Sequence, residues 1–261
     1  MSVKPDDVSS RRLTGWARGV AILGVVLGVL ALLGMLLSGP LYRFGVLGLR
    51  PAFGLMGLGA KAGIVAIVIA LIGLVLALLA PRCARYASWA VVGIVLGVLA
   101  FVPPWLFRHN AGQVPPIHDI STDTVNPPKF EAVLPLRADA PNSTDYDGAT
   151  VAVQQHHAYP DIQPLRFKVA PATVFDAALK TVKSMGWAIA AQAPAQGRIE
   201  ATATTFWFGF KDDVVIRIQP DAQGTRLDIR SESRVGKSDV GKNAARIRAF
   251  RDRLEQDLAH P

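Results

Sequence analysis

Three long apolar runs fill most of the first 107 positions, and an alternating pattern takes over after residue 165. Ala21 to Leu37 is unbroken. With its flanks, residues 19–40 supply the roughly twenty residues that cross about 30 Å of hydrocarbon. A second run covers 62–80 and is closed by Pro81 and Arg82. A third covers 87–107, with Trp89 and Trp105 near its ends, where interfacial aromatics belong. Pro103 and Pro104 should end or kink that third helix. The first run is longer than a signal-peptide core and two more follow it, so it reads as a retained helix. Gly24 and Gly28 stand in a GxxxG spacing that can pack helices together. Residues 41–60 are apolar but carry Arg43, Arg50 and Pro51. An arginine at mid-membrane costs about 2.5 to 3.5 kcal/mol, so this stretch reads as an interfacial loop or short surface helix, not a fourth span.

From Leu165 the periods become those of a water-facing domain. Leu165, Phe167 and Val169 alternate with Arg166 and Lys168, as in a half-buried strand. Pro171 opens a helix whose apolar face holds Phe175, Leu179 and Val182, and Gly186 ends it. Strands are expected over 187–191, 198–208, 213–219 and 225–233, with Asp221 to Gly224 as a hairpin turn. Residues 239–258 form an amphipathic helix with the stripe Ala244, Ile247, Phe250 and Leu254, capped by Ser238 or Asp239. One-faced strands need a cover and two amphipathic helices supply it. The expected fold is a three-helix transmembrane region followed by an α+β domain, an antiparallel sheet with both helices on one face. The expected divisions are a membrane region over 1–110, a proline-rich linker or wrapping segment over 111–164, and the α+β domain over 165–261. In the middle segment, Ile117, Ile120, Phe130, Val133 and Leu134 favour wrapping over a bare stalk.

Charge changes the picture in one respect. Residues 1–110 hold ten Lys/Arg against two Asp/Glu, and residues 111–261 hold eighteen of each, so the whole net charge of +8 lies in the membrane part. Basic residues there set orientation, and no nucleic-acid partner is expected. Lys4, Arg11, Arg12, Arg18, Arg82 and Arg85 fall on the N-terminal side, and Arg43, Arg50, Lys61 and Arg108 on the other. Six against four places the N-terminus in the cytoplasm. The expected location is the inner (cytoplasmic) membrane, with the C-terminal domain in the periplasm. The lone Cys83 forms no internal disulfide, no Cys/His cluster has zinc-ligand spacing, and no nucleophile elbow, phosphate loop or dinucleotide fingerprint is present. No metal or cofactor is expected.

Two stretches resemble the family known as domain of unknown function 1499. One is Pro116-Ile-His-Asp-Ile-Ser-Thr-Asp123 with Pro127-Pro128-Lys-Phe130 and Tyr159-Pro-Asp-Ile-Gln-Pro164. The other is Ile229-Arg-Ser-Glu-Ser-Arg-Val-Gly-Lys-Ser-Asp-Val-Gly-Lys-Asn243, running into Arg246-Ile247. The resemblance covers residues 111–258. It implies a bacterial or plastid protein, often with membrane spans ahead of the domain, and implies no activity.

The candidate ligand site is a strand end, a glycine-bearing loop and a helix start: Arg230, Ser231, Ser233, Arg234, Lys237, Asp239, Asn243 and Arg246, with Asp119 and Asp123 ahead of them. Free N–H groups at a helix start favour anions, and arginine binds phosphate or carboxylate with two prongs. The plain structural alternative is that Asp239 caps the helix while the arginines pair with Asp212, Asp213 or the acids of the preceding segment. Asp123 also suits an Asx-turn. The functional expectation is a non-enzymatic envelope module whose partners are the lipid bilayer and an anionic lipid, an envelope polymer or another membrane protein. The alternative is a hydrolase using His118, Asp119 and Ser231, which needs a nucleophile and base within hydrogen-bond reach.

Overall fold

The computed structural model describes residues 5–79 and 81–259; Lys4, Ala80 (the expected end of the second span) and Pro261 lie outside the described residues. The chain divides into two compact units, Met1–His109 with Trp207–Gly209, and Asn110–Phe206 with Phe210–Pro261.

The first unit contains α1 (Pro5–Arg43) and α2 (Leu49–Leu79), and most of α3 (Ala87–Ala111). Three helical stretches are long and apolar enough to cross a membrane: Leu13–Arg43 in α1, Leu49–Leu79 in α2, and Cys83–Ala111, which adds the turn before α3. Their packing inverts that of a soluble bundle. The buried positions of α2 are Ala52, Met56, Gly59, Gly63, Ala66, Ala70, Gly73 and Ala77, alternately four and three apart. The same spacing picks out Ala90, Gly93, Gly97, Ala100 and Pro104 on α3, and Ala17, Ala21, Gly24, Gly28, Ala31, Met35 and Ser38 on α1. This is the seam of a left-handed coil made almost entirely of small residues, which lets backbones approach closely. A Cβ on Gly63 would stand 2.7 Å from the Gly97 carbonyl oxygen, and one on Gly97 would stand 2.6 Å from that of Gly63. Gly24 and Gly28 belong to the same seam, against Ala70 and Leu96. Large aliphatic side chains such as Leu23, Val26, Leu30 and Leu33 are exposed. A surface of that kind suits lipid, not water.

Two expectations for this unit change. The stretch 49–60 is the front of α2, not a loop. Pro51 sits in its first turn, where the missing N–H costs nothing, and Arg50 lies at the helix start, away from its middle. Helix α3 also runs through Pro103 and Pro104 to Ala111. A proline removes its own donor and leaves the donors beyond it free to resume the ladder.

The second unit is built on one open antiparallel sheet. Its elements are β1 (Asp119–Ser121), α4 (Ala149–Ala158), β2 (Leu165–Phe167), α5 (Pro171–Ser184), β3 (Ala188–Ala193), β4 (Arg198–Thr204), β5 (Lys211–Asp221), β6 (Gly224–Ser233) and α6 (Lys242–Ala259). Strands β3 to β6 form a meander, and β1 and β2 share the outer edge of β6, β1 along residues 230–232 and β2 along 225–227. The expected strand over 198–208 stops at Thr204. Thr205 and Phe210 exchange two hydrogen bonds of 2.8 Å, and Gly209 has φ +69, which turns the chain before β5. Strand β5 is longer than expected and pairs to Asp221↔Gly224, so Ala222 and Gln223 make the hairpin turn.

Strand alternation sends two sets of side chains to opposite faces. Ile199, Ala201 and Ala203, then Val214, Ile216 and Ile218, then Leu227 and Ile229 enter the main core with Val174, Phe175, Ala178 and Val182 of α5 and Ala244, Ile247, Phe250 and Leu254 of α6. Helix α4, unexpected from the sequence, adds Val151 to that core. The opposite face carries Glu200, Thr202, Asp213, Val215, Asp228, Arg230 and Glu232, and it too is buried. Phe130 and Val133 of the preceding segment pack on Val215. That segment lies across the polar face as a strap.

Candidate functional site

Side chains from β4, β5, β6 and the strap meet on this second face. The register sets Asp119 of β1 opposite Glu232 of β6, and Glu232 opposite Asp213 of β5. Three carboxylates thus stand in one row across three strands, an arrangement that like-charge repulsion forbids without compensation. Three arginines compensate it. Arg230 Nε and Nη2 donate to the two Asp119 oxygens at 3.0 and 2.7 Å, and its other donors reach Pro128 O at 3.2 Å and Thr144 O at 2.8 Å. Its guanidinium lies 4.8 Å from the Phe130 ring centroid and 5.6 Å from that of Tyr146. Arg234 grips Asp213 with two prongs, 2.9 and 2.8 Å. Arg137 of the strap bridges the row, donating to Asp213 at 3.2 Å and to the Glu232 oxygens at 3.2 and 2.9 Å. The buried Glu200 carboxylate accepts the strap N–H groups of Glu131 and Val133, at 3.0 Å to Oε2.

Burial pushes the Glu232 carboxyl up to about 7, helped by the Asp119 charge and against the bonds from Arg137. Burial likewise raises Asp119 against its bonds from Arg230, and lifts the Tyr146 hydroxyl to about 12. Asp123 goes the other way. Burial works against its charge, but the N–H groups of Asn126 and Val125 and the guanidiniums of Arg226 and Arg217 together hold it below the usual carboxylate range. Its Oδ1 accepts from Val125 and Asn126 at 3.1 and 2.9 Å, an Asx-turn.

The rest of the expected site lies on the helix face. Ser231 Oγ donates to Asn243 Oδ1 at 2.7 Å and accepts from Arg246 at 3.0 Å. Asn243 Nδ2 donates to His118 O at 2.7 Å and to Ser233 Oγ at 3.0 Å. Arg246 also pairs with Asp212. An amide oxygen and a guanidinium flank Ser231, and neither takes a proton as a general base does. Asp239 accepts the N–H groups of Gly241 and Asn243 at 2.8 and 2.6 Å. Helix α6 starts at Lys242, later than expected, because Val240 (φ 54) and Gly241 (φ 76) are left-handed and cannot join it. Lys237 is exposed in the loop before it.

The sheet therefore separates the expected site residues: Asp119, Asp123, Arg230 and Arg234 on the strap face, Ser231, Ser233, Asn243 and Arg246 on the helix face. Each of the three arginines Arg230, Arg234 and Arg246 holds an internal carboxylate. Arg137, Glu200 and Glu232 escaped the sequence reading. A signal for them existed in β6, where Arg226, Asp228, Arg230 and Glu232 alternate in sign at every second position, as a buried ion ladder does. At the rim of the strap the polar face opens into a cleft of about 350 Å³, lined among others by Asn126, Lys129, Gln196, Arg198, Arg217 and Gln219. Among the described residues no group of three or more His, Cys, Asp or Glu could hold a metal ion.

No curated protein matches the chain. Residues 119–254, more than half of its length, match the family described as protein of unknown function (DUF1499), and their span runs from β1 through the ion ladder into α6. The chain belongs to that family.

Proposed function

We propose that this is a membrane-anchored envelope protein whose second unit binds a ligand and performs no chemistry. In this reading the N-terminus is cytoplasmic and the domain faces outward, periplasmic in a cell with two membranes. The uneven distribution of basic residues around the spans supports that orientation. The ligand is an anionic envelope component, a lipid headgroup or an acidic polymer. The observation that carries the reading is the open cleft at the strap rim. The exposed Lys129 stands there with three side-chain amides beside Val215; Arg198 and Arg217 also line the cleft, each already paired, Arg198 with Glu131 and Glu200 and Arg217 with Asp123 and Asp228. Cations and amides presented to solvent recognise oxyanions and hydroxyls. Arg230, Arg234 and Arg246, each engaged by its own carboxylate, act in this reading as the scaffold that holds the strap and so shapes the cleft.

The test is binding of the full chain in neutral-lipid nanodiscs to anionic and neutral envelope glycans and to headgroup analogues. Saturable binding that weakens with salt and is lost in Lys129→Glu, with the unfolding midpoint unchanged, supports it. Binding that ignores Lys129→Glu overturns the cleft assignment. Turnover of any of these compounds overturns the binding-only reading.

A further inference from the structure

The strap and the β4–β5 turn come together at one end of the sheet. Arg234, just past β6, donates its backbone N–H to Lys211 O at 3.0 Å, and its guanidinium donates to Leu136 O of the strap. The side chains shown to solvent at this end are not those of an ordinary water face. Leu134 and Leu136, in the short 3-10 turn of the strap, are 43 % and 58 % exposed, and Phe206 in the β4–β5 turn is 89 % exposed. Pro135 is exposed between the two leucines, and Lys211 and Lys237 are exposed at the same end. The strap is tied to the loop of Lys237 through Asn142, whose Nδ2 donates to Gly236 O at 2.9 Å. Single exposed apolar residues are ordinary on a soluble protein, but a cluster of them edged by polar groups marks an interaction surface. The turn that carries Phe206 is braced at its base, where Thr205 N–H donates to Phe210 O and Phe210 N–H to Thr205 Oγ1, both at 2.8 Å. The exposed acid Asp139 follows the strap turn, so apolar burial and not charge must drive a contact made here.

The covalent path names the occupant. Between Phe206 and Phe210 the chain passes through the first unit, to which Trp207–Gly209 belong. Within that unit Trp207 Nε1 donates to Leu36 O at 3.0 Å, and the Phe208 ring centroid lies 5.2 Å from that of Phe53 and 6.0 Å from that of Tyr42. Leu36 and Tyr42 are near the end of the span Leu13–Arg43, and Phe53 is near the start of Leu49–Leu79, the level at which interfacial Trp and Tyr sit. One peptide bond joins Trp207 to Phe206, which places their Cα atoms about 4 Å apart. We propose that this end of the second unit rests on the bilayer, with Phe206, Leu136 and Leu134 in the interfacial layer of the lipid and Lys211 and Lys237 at the headgroup phosphates. Apolar side chains entering the lipid with long basic ones reaching back to the phosphates are the pattern of an interfacial contact. The other end of β5 is the hairpin turn at Ala222, about 30 Å along the strand. The cleft residues Arg198, Arg217 and Gln219 lie toward that end. The lipid contact is therefore separate from the cleft at the strap rim, does not depend on what that cleft binds, and holds it away from the membrane.

The experiment places a nitroxide on the full chain in nanodiscs of mixed phosphatidylcholine and phosphatidylglycerol. The labelled positions are Leu136→Cys, Phe206→Cys and, at the far end of the sheet, the exposed Ala222→Cys. Each is made in a Cys83→Ala background, because Cys83 is the sole native cysteine. Relaxation of the label by oxygen, which concentrates in lipid, is compared with relaxation by a water-soluble nickel chelate. Oxygen should dominate at positions 136 and 206 and nickel at 222, with the oxygen-to-nickel ratio several-fold higher at the first two. Leu134→Cys takes the place of Leu136→Cys where the latter lowers the unfolding midpoint. Three results overturn the proposal. Nickel dominance at the strap position or at 206 shows a surface in water. Dipolar broadening between labels on neighbouring chains shows a second copy covering the patch. Oxygen dominance at 222 as well shows a domain that does not meet the lipid by this end.

Discussion

Arg230 and Asp119 form a two-pronged pair across the β6–β1 ladder, with contacts of 3.0 and 2.7 Å and side chains 2 % and 3 % exposed. The pair joins the strap to the sheet from beneath, since β1 has only three residues to hold that edge. Removing one member strands the other as a buried charge, which costs about 3 to 5 kcal/mol. Asp119→Ala is therefore expected to unfold the domain at much lower denaturant, and Arg230→Ala to do the same. The double variant Asp119→Ala/Arg230→Ala should cost less than the sum of the two. Chemical unfolding in detergent measures all three. Additive losses would mean that the two side chains act independently.

Arg234 poses a sharper choice, because the sequence offers it both as anion ligand and as scaffold. Its guanidinium lies between Asp213, Thr202 and the Leu136 carbonyl. Arg234→Ala leaves Asp213 with Arg137 and the Thr202 hydroxyl and should lower stability by several kcal/mol, about 3 or more. Arg234→Lys should recover little of it, since an ammonium cannot reproduce the fork. A variant as stable as the parent would return Arg234 to the list of ligand residues.

The apolar half of the fold was legible because its periods are clean. Leu227 and Ile229 on β6, and Ala244, Ile247, Phe250 and Leu254 on α6, follow rules of two and of three-to-four, and all lie in the core. The polar half was not, because Arg137, Glu200 and Glu232 look like surface residues by type. Their burial depends on pairs between strap and sheet that lie 69 residues apart for Glu131 and Glu200 and 95 apart for Arg137 and Glu232, and a single chain gives no pairing information over such distances. Helix α4 was hidden for a local reason. Val151, Gln154, Gln155 and His157 make too weak an apolar stripe, and Gln155 is buried only because it bonds the Ser121 backbone at 3.0 and 2.7 Å. The candidate site was half-legible: the structural alternative named Asp213 and the preceding acids as partners for the arginines, while the strap that completes those pairs was out of view.

The seam of the membrane unit supplies a test of close packing. A Cβ at Gly97 meets the Gly63 carbonyl at 2.6 Å and Ile67 Cγ1 at 2.7 Å, and neither backbone can yield without shifting a helix. Gly97→Val should therefore destabilise the unit by about 1 to 3 kcal/mol or separate α3 from α2. Gly54→Ala, where a Cβ meets nothing within 4 Å, should be silent. Thermal unfolding in detergent compares the two. Equal behaviour would show that the helices do not pack through Gly97.

Glu232 makes the domain's stability depend on pH in a direction opposite to most acids. Its carboxyl is pushed up to about 7 from an ordinary 4.5, chiefly by burial and then by the neighbouring Asp119 charge. Between those values the folded domain holds a proton that the unfolded chain has released. Its contribution to stability is thus fully present below about pH 4.5 and is lost as pH rises through 7, up to about 3 kcal/mol. Other carboxylates pull the opposite way: Asp123, held below its ordinary range, contributes above that range and loses its contribution at acid pH. The two are separable by substitution. Glu232→Gln keeps the shape, cannot ionise, and still accepts one bond from Arg137. It should flatten the fall in stability between pH 5 and pH 8 and compare better with the parent at pH 8 than at pH 5. Denaturant unfolding across that range decides it. An unchanged slope would assign the pH dependence to another group in the row, with Asp119, also raised by burial, the next to substitute.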